Sequence, residues 1–393
     1  MRRRSAVMSN LSLLLAHSNL TLMTDALAVG LLPQLAALDP PKSSKAVGWA
    51  RAWQARGYYP DRPDMFQLPE IAAMLGVDPP LMNMPRWAWA VAWRAGKRAM
   101  PLLHQWDPAV PTDTCRNLIV LWLKAIAGNR VSGGYDDGGL AYDLLPAYTR
   151  GIVSRPLARL FPPMHHQTIA VRSAFLDRVI RKELNRINSA VSAGGGRSGG
   201  DLQTIVVVLG AGFDVRPFRL AGHAEAPPSL SRARWVEIDL PEVIAQKASL
   251  LARLKERRPD LGRVSHELYA ANLSVTEEAT SAMRTALSSV DGAPVVFVLE
   301  ALLIYIAPEQ SHRLLAAAVR EAISAGSRDV SLCFVDRLPD VQRGCEDDAR
   351  ATLSRAGLTL DEGSWLVKSG LARHMGVARL VAESQSTNLS VIK

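Results

Sequence analysis

The stretch 204–220, TIVVVLGAGFDVRPFRL, decides the fold of this chain. Its apolar run from Ile205 to Leu209 is continuous and β-branched, which is typical of a central parallel strand covered on both faces. Gly210-Ala211-Gly212 follows directly, and glycines at such a strand end let the backbone approach a ligand while the next helix offers free N–H groups. The stretch therefore predicts a nucleotide-type cofactor site. Val215 stands where a dinucleotide fingerprint would have its third glycine, which argues against a dinucleotide.

Three later segments read as strands that end in polar side chains. Asp239 ends the second strand, RWVEIDL, where a carboxylate can take both hydroxyls of a ribose. Asn272 lies in a shorter candidate, LYAANL, and Glu300 ends the buried run PVVFVLE. This order fits an S-adenosylmethionine pocket better than a dinucleotide pocket, because that cofactor has no phosphates and needs hydroxyl, amine and carboxylate partners. A carboxylate at Glu300 suits its cationic amine.

Strands alternate with helices from about residue 170 to residue 385, which predicts an α/β fold with a doubly wound, mostly parallel sheet. Pro241 and Pro308 each open a predicted helix at its first turn. The predicted helices span Cys115 to Gly128, Leu140 to Leu145, Ala170 to Arg186, Pro241 to Arg257, Pro308 to Ala325 and Ala349 to Ala356. Strands are also predicted over Asp329 to Val335 and in a closing pair that starts at Gly357.

Three motifs in order resemble the leucine carboxyl methyltransferase family. They are VVVLGAGFDVRPFRL at 206–220, WVEIDLPEVIAQK at 235–247 and VVFVLEALLIYIAPEQSHRLL at 295–315. The family shares a GAG-x-D-x-R-x-x-R-L turn, an E-x-D-x-P strand end and an E-x-x-L-x-Y-x-x-P-E segment. The resemblance covers about residues 120–340 and implies a class I methyltransferase fold that uses S-adenosylmethionine.

The resemblance also assigns residues to the cofactor. It implies Lys124 and Arg172 as partners of the cofactor carboxylate, with His165 or Gln167 as alternatives to Arg172. The other implied contacts are the loop Gly210, Ala211 and Gly212, the ribose acid Asp239, the adenine-facing Asn272 and Leu273, and Glu300 near the methionine end. The family often has Asp-Leu where this chain has Asn272-Leu273. An asparagine amide still offers both an acceptor and a donor to adenine.

The sequence leaves the methyl acceptor open. An O-methyltransferase acting on a carboxylate needs no general base, because that acceptor is already ionised, and the catalytic residues are left unassigned. A hydroxyl acceptor would need a base, for which His165 and His166 are the candidates, and Tyr305 is a candidate for the acceptor pocket. Alternatives are O-methylation of a small natural product or a modified tRNA base, and a non-catalytic binding module that kept the fold. Arg216 and Arg219 are expected to close the turn by pairing with nearby acids.

Composition bears on the kinds of partner and site that the chain can have. The formal charge is +9, but Lys and Arg are spread along the chain, which argues against an extended nucleic-acid-binding surface. The resemblance implies a small molecule or a protein C-terminal carboxylate as the substrate. Three scattered cysteines predict neither a disulfide framework nor a metal site. No stretch is apolar enough over about 20 residues to span a membrane.

The amino-terminal third is predicted to stand apart from the cofactor domain. Residues 1–24 contain three arginines and no acid, which indicates either a targeting segment or a plain helix, and hence a cytoplasmic or an organellar protein. Residues 25–115 are predicted to be a helical, tryptophan-rich extension without a counterpart in the family core. Residues 116–393 are predicted to form the methyltransferase domain.

Overall fold

The computed structural model describes residues 117, 120–121, 123–128, 137–145, 150, 163–193, 203–222, 226–288, 292–341, 345–365 and 374–380. The two predictions for residues 1–24 and 25–115 lie outside this part of the chain. Within it, no helix is both long and apolar enough to cross a membrane.

Seven strands form one sheet in the order β3-β2-β1-β4-β5-β7-β6. The strands are β1 Ile205–Leu209, β2 Arg234–Asp239, β3 His266–Ala270, β4 Val295–Glu300, β5 Val330–Asp336, β6 Leu358–Leu360 and β7 His374–Leu380. The pairs from β3 through β5 are parallel, and β7 pairs antiparallel with both β5 and β6. This confirms the predicted mostly parallel α/β sheet, and the order and the single reversed strand are those of a class I methyltransferase.

The helices are α1 Leu140–Leu144, α2 Pro163–Ala193, α3 Arg216–Ala221, α4 Pro228–Ser231, α5 Pro241–Arg257, α6 Thr276–Leu287, α7 Pro308–Ser324 and α8 Glu346–Ser354. Residues 123–128 are also helical, and short 3-10 helices span Pro259–Arg263 and Leu303–Tyr305. Proline occupies the first turn of α5 and α7, where its missing N–H costs no hydrogen bond. The predicted starts of both helices are therefore confirmed.

Two apolar layers cover the two faces of the sheet. On one face Val206 and Val208 of β1 pack with residues of α1, α2, α3 and α5. On the other face Ile205, Val207 and Leu209 pack with residues of α6, α7 and α8. All five residues of β1 are buried, and this two-sided burial is the reason why its sequence is apolar without alternation.

Three elements differ from their predicted bounds by more than one residue. β3 spans His266–Ala270 rather than Leu268 to Leu273, because it pairs with β2 and both end together at Asp239 and Ala270. β3 is an edge strand with partly exposed residues, so its sequence lacks a clear apolar run. α8 begins three residues early, at Glu346, where three acidic residues suit the positive end of the helix dipole. α2 is longer at both ends than Ala170 to Arg186.

Candidate functional site

One cavity of about 450 Å³ lies at the carboxyl ends of β1, β2, β3 and β4. Its size is within the range of small-molecule sites, about 300–1,000 Å³. β1 lies between β2 and β4, so the chain order reverses here, and such a switch point leaves a crevice for a ligand. The cavity lining includes each residue that the sequence assigned to the cofactor: Lys124, Arg172, Gly210, Ala211, Gly212, Asp239, Asn272, Leu273 and Glu300.

The glycine turn needs glycine at both positions. Gly210 has φ of +69° and Gly212 has φ of +50°, a backbone region that side chains disfavour. A Cβ atom at Gly210 would lie 2.8 Å from the side chain of Leu302, and one at Gly212 would lie 3.0 Å from that of Asn117. The turn therefore forms a close floor of the cavity that a side chain would fill.

Asp239 ends β2 beside this turn and is almost fully buried. Its carboxylate accepts hydrogen bonds from the Gly212 N–H at 2.6 Å and from the Leu240 N–H at 2.7 Å. Burial raises the pKa of Asp239, and the two backbone hydrogen bonds oppose that rise. Each oxygen keeps a second lone pair, so the carboxylate can still accept from ligand hydroxyls.

Asn272 lies two residues beyond β3, and its side-chain oxygen is hydrogen-bonded within its own loop. Its Oδ1 atom accepts from the Ser274 N–H at 3.0 Å and from the Ser274 hydroxyl at 2.7 Å. The Leu273 N–H has no hydrogen-bond partner among the described residues. This end of the cavity therefore offers a ligand two kinds of donor, the Leu273 N–H and the side-chain NH2 group of Asn272. The Asn272 oxygen, which was expected to accept from adenine, is already hydrogen-bonded to Ser274.

Glu300 at the end of β4 meets three cations. It accepts from Arg216 at 2.8 Å, from Arg172 at 3.2 Å and from Lys124 at 3.4 Å. All three cations are almost completely buried, although they come from distant parts of the chain. Arg172 lies on the pocket face of α2, which is buried on all sides over residues 169–177.

A second layer of acids supports this cluster, and the sequence analysis did not single out either acid. Asp214 binds Arg216 closely and accepts from Lys124 at 3.1 Å. Asp177 of α2 accepts from Arg216 at 3.0 Å and also binds Arg219. The expected pairing of both arginines with nearby acids is confirmed. Asp214 carried a signal, as the D of the GAG-x-D motif, whereas nothing in the sequence linked Asp177 to this turn.

Two carboxylates of the cluster stay ionised despite their burial. Burial alone would raise the pKa of Glu300, but the charges of Lys124, Arg216 and Arg172 hold it well below its usual range. Burial acts the same way on Asp214, where the charges of Arg216 and Lys124 again outweigh it and lower the pKa. Both groups are consequently anionic and weakly basic at neutral pH.

The site suits the cofactor that the sequence predicts. The methionine end of S-adenosylmethionine carries an amine and a carboxylate, and here Glu300 lies beside Lys124 and Arg172 on the cavity wall. The Nε atom of Arg172 is buried and has no hydrogen-bond partner within the described part of the chain, so it is a donor that a ligand can satisfy. The glycine floor supplies the close approach that the ribose needs beside Asp239.

The candidates for the acceptor side divide into two groups. Tyr305 is 62% exposed and, with Ile306, lines the cavity. The candidate bases His165 and His166 lie in α2, in the part whose side chains are outside the described residues, and so does Gln167, the alternative to Arg172 at the cofactor carboxylate.

Comparison with known proteins finds a family match over part of the chain. The model of the leucine carboxyl methyltransferase family matches residues 147–319, which include all the predicted cofactor residues except Lys124. No curated protein matches the chain.

Solved methyltransferase structures are similar at low identity. A putative methyltransferase from Thermobifida fusca YX is 16% identical, with TM-score 0.32, and the likeness covers 61% of this chain and 93% of that one. Magnesium protoporphyrin IX methyltransferase from Synechocystis PCC 6803, with SAM bound, is 14% identical, with TM-score 0.28 and coverage of 53% and 84%. A riboflavin-derivative dimethyltransferase from Streptomyces davawensis is 14% identical, with TM-score 0.29 and coverage of 97% and 100%.

The family match spans the glycine turn, the acid that ends β2 and the segment after β4, which are the three motifs of the resemblance. It therefore confirms the resemblance to the leucine carboxyl methyltransferase family over residues 147–319, and this part of the chain is an S-adenosylmethionine-dependent methyltransferase domain.

Proposed function

We propose that the protein is an O-methyltransferase whose acceptor is a carboxylate, on a small molecule or at a protein C terminus. The observation that carries the proposal is the ionic cluster around Glu300. It keeps the pocket carboxylates Glu300 and Asp214 ionised with lowered pKa values, so neither is suited to remove a proton at neutral pH. An acceptor that arrives already ionised needs no such group.

The proposed division of the cavity follows its chemistry. Glu300 would bind the cofactor amine, while Arg172 and Lys124 would bind its carboxylate. Asp239 would take the ribose hydroxyls, and Asn272 with Leu273 would face the adenine. The bound cofactor supplies an electrophilic methyl group, and the work left to the protein is to place an acceptor oxygen in line with it.

The acceptor would enter beside Tyr305 and Ile306. Tyr305 is the most exposed aromatic side chain on the cavity wall, and both residues belong to the segment that follows β4. An aromatic ring with a hydroxyl at its tip suits an acceptor that is apolar in one part and polar in another.

A labelled-methyl assay tests the acceptor class. The full chain is incubated with methyl-labelled S-adenosylmethionine and a peptide that ends in a free leucine carboxylate, beside the same peptide amidated at its C terminus. We expect label in the free peptide alone, released as volatile methanol by mild alkali, because esters hydrolyse under conditions in which ethers and N-methyl groups persist. The same alkali treatment applied to labelled fractions of a cell extract covers small-molecule acids.

Alkali-stable label, in a small-molecule or a tRNA fraction, would contradict the carboxylate acceptor and favour the other O-methyl or base acceptors. The matched control is Glu300→Gln, which retains the shape of the side chain but removes its charge. Label that persists at full yield with this variant would show that transfer does not depend on the site proposed here.

A further inference from the structure

The turn that follows β4 has an unusual backbone. Ala301 has φ of +60°, a left-handed conformation that is unfavourable for a residue with a side chain. Its neighbours Glu300 and Leu302 both line the cavity, and Leu302 packs against Gly210 of the glycine turn. The conformation of Ala301 thus sets the direction of two cavity walls at once.

Asp336 holds this turn from the neighbouring strand. It is the last residue of β5 and is fully buried. Its Oδ2 atom accepts from the Leu302 N–H at 2.6 Å and from the Leu303 N–H at 2.9 Å, and its Oδ1 atom accepts from its own neighbour, Arg337, at 2.7 Å. One carboxylate oxygen therefore accepts from two successive backbone N–H groups, and the left-handed conformation of Ala301 points both of them toward it.

Asp336 is not among the residues that line the cavity, so it acts on the site indirectly, and the turn is the part of the cavity wall to which it is hydrogen-bonded. The turn then continues into the 3-10 helix Leu303–Tyr305, which carries Tyr305 to the cavity mouth. Without an acceptor at Oδ2, the two N–H groups would be left unpaired and the disfavoured φ of Ala301 would lose its support.

We infer that Asp336 is a positioning residue of the methyltransferase site, acting through the turn Ala301–Leu303 to place Glu300 in the cavity wall and Leu302 against Gly210. The inference concerns the cofactor side of the site. It is therefore independent of which acceptor takes the methyl group.

A purely structural role is the competing explanation. Asp336 is paired with His374 across the antiparallel β5–β7 contact, so its loss could loosen that sheet edge instead. The two explanations differ at Ala301. Glycine at 301 adopts positive φ at no steric cost and so relieves a defect in the turn, whereas it does nothing for the β5–β7 edge.

The test measures the affinity of the full chain for S-adenosylhomocysteine by calorimetry, with amide hydrogen exchange of the 300–306 segment. We expect Asp336→Ala to weaken binding about tenfold and to speed exchange in this segment. Asp336→Asn should lose less, because its amide oxygen can still accept the two N–H groups. Ala301→Gly in the Asp336→Ala background should recover at least half of the lost binding energy.

The matched control is Asp329→Asn. Asp329 immediately precedes the first residue of β5, and its carboxylate pairs with Arg186 at 2.6 Å. This variant should leave both affinity and exchange at 300–306 unchanged. An Asp336→Ala variant that binds within twofold of the wild type, or that glycine at 301 fails to rescue, would overturn the inference. If Asp336→Ala does not fold, Asp336→Asn decides: unchanged exchange at 300–306 would overturn it as well.

Discussion

The two ends of the cavity hold their carboxylates in opposite ways. At the β4 end, Glu300 contacts three buried cations. At the β2 end, the hydrogen bonds that the described residues make to Asp239 come from the backbone N–H groups of Gly212 and Leu240. The pKa of Glu300 is accordingly held well below its usual range, whereas burial raises that of Asp239. Burial raises the pKa of both acids, and the charge of the three cations reverses that rise only at Glu300.

This difference has a functional consequence. The ionic end keeps its charge over the whole physiological pH range and matches a zwitterionic ligand group. At the β2 end, the carboxylate of Asp239 has uncharged hydrogen-bond donors, which suits a ligand part with hydroxyl groups and an adenine edge. Four substitutions, each confined to one end, separate the two behaviours.

The largest effect is expected from Arg216→Met. Arg216 is fully buried and contacts Asp177, Asp214 and Glu300, so its loss leaves carboxylates buried without their partner. We expect the free energy of unfolding to fall by about 3–5 kcal/mol, measured by urea denaturation. Arg355→Met, which removes a surface pair with Asp340, is the control and should change the free energy of unfolding far less, because water screens an exposed ion pair. If the two variants lose the same free energy of unfolding, the buried ion pairs of Arg216 stabilise the fold no more than a surface pair does.

Glu300→Gln comes next and acts on binding. It removes the charge proposed to bind the cofactor amine while three cations keep their places. We expect affinity to fall about a hundredfold for both S-adenosylmethionine and its demethylated product, because the two share that amine. Calorimetry with Asp340→Asn as a surface control measures the change. An affinity within twofold of the wild type would refute the assignment of Glu300.

Asp239→Asn should weaken binding about tenfold and should also remove a pH dependence. Because the pKa of Asp239 is raised above its ordinary 3.8, the wild-type carboxylate protonates as the pH falls from neutral toward that value, and affinity should fall with it. Glu300 stays ionised over that window because its pKa is lowered.

The same shift has a defined sign for stability. A raised folded-state pKa favours the protonated acid, so the contribution of Asp239 is fully present below pH 3.8 and is lost as the pH rises through its folded-state value. The pH dependence of binding is measured by calorimetric titrations of the wild type and of Asp239→Asn at several pH values. If the affinity of both proteins falls equally as the pH is lowered, the pH dependence belongs to another group.

The smallest effect is expected from Asn272→Asp, which restores the residue common in the family. The oxygen that accepts from Ser274 is retained, and the second oxygen becomes an acceptor for the adenine amine. We expect a gain of about two- to fivefold in affinity. Ser274→Ala in the same background separates the loop contact from the ligand contact. A loss of affinity in Asn272→Asp would show that the Asn272 amide donates to the ligand.

Much of the site was predictable because parallel strands end at one edge of a sheet. Once β1, β2 and β4 were recognised as buried strands, Gly210, Asp239 and Glu300 had to lie near one another, and they do. The end of β3 was predicted too late, because an edge strand with partly exposed residues lacks the apolar run that marks the others. Its register comes from pairing with β2.

The roles of Asp177 and Asp336 could not be predicted in the same way. Asp177 lies 39 residues before Arg216 on a helix whose inward face is set by packing, and nothing local links the two. Asp336 ends a strand like Glu300, yet its carboxylate points at a backbone turn rather than into the cavity. A strand-end acid has the same sequence signature in both cases.

By itself, the sequence determined the fold class, the ends of the buried strands β1, β2 and β4 and the type of cofactor, because local apolar patterns, glycine turns and helix-starting prolines act over a few residues. The tertiary structure alone decided which charges meet. Buried ion pairs form between segments that are far apart in the chain, and which pairs form depends on the packing of α2 and of residues 123–128 against one face of the sheet. That packing is the reason why Glu300 has three cationic partners and Asp239 has backbone ones.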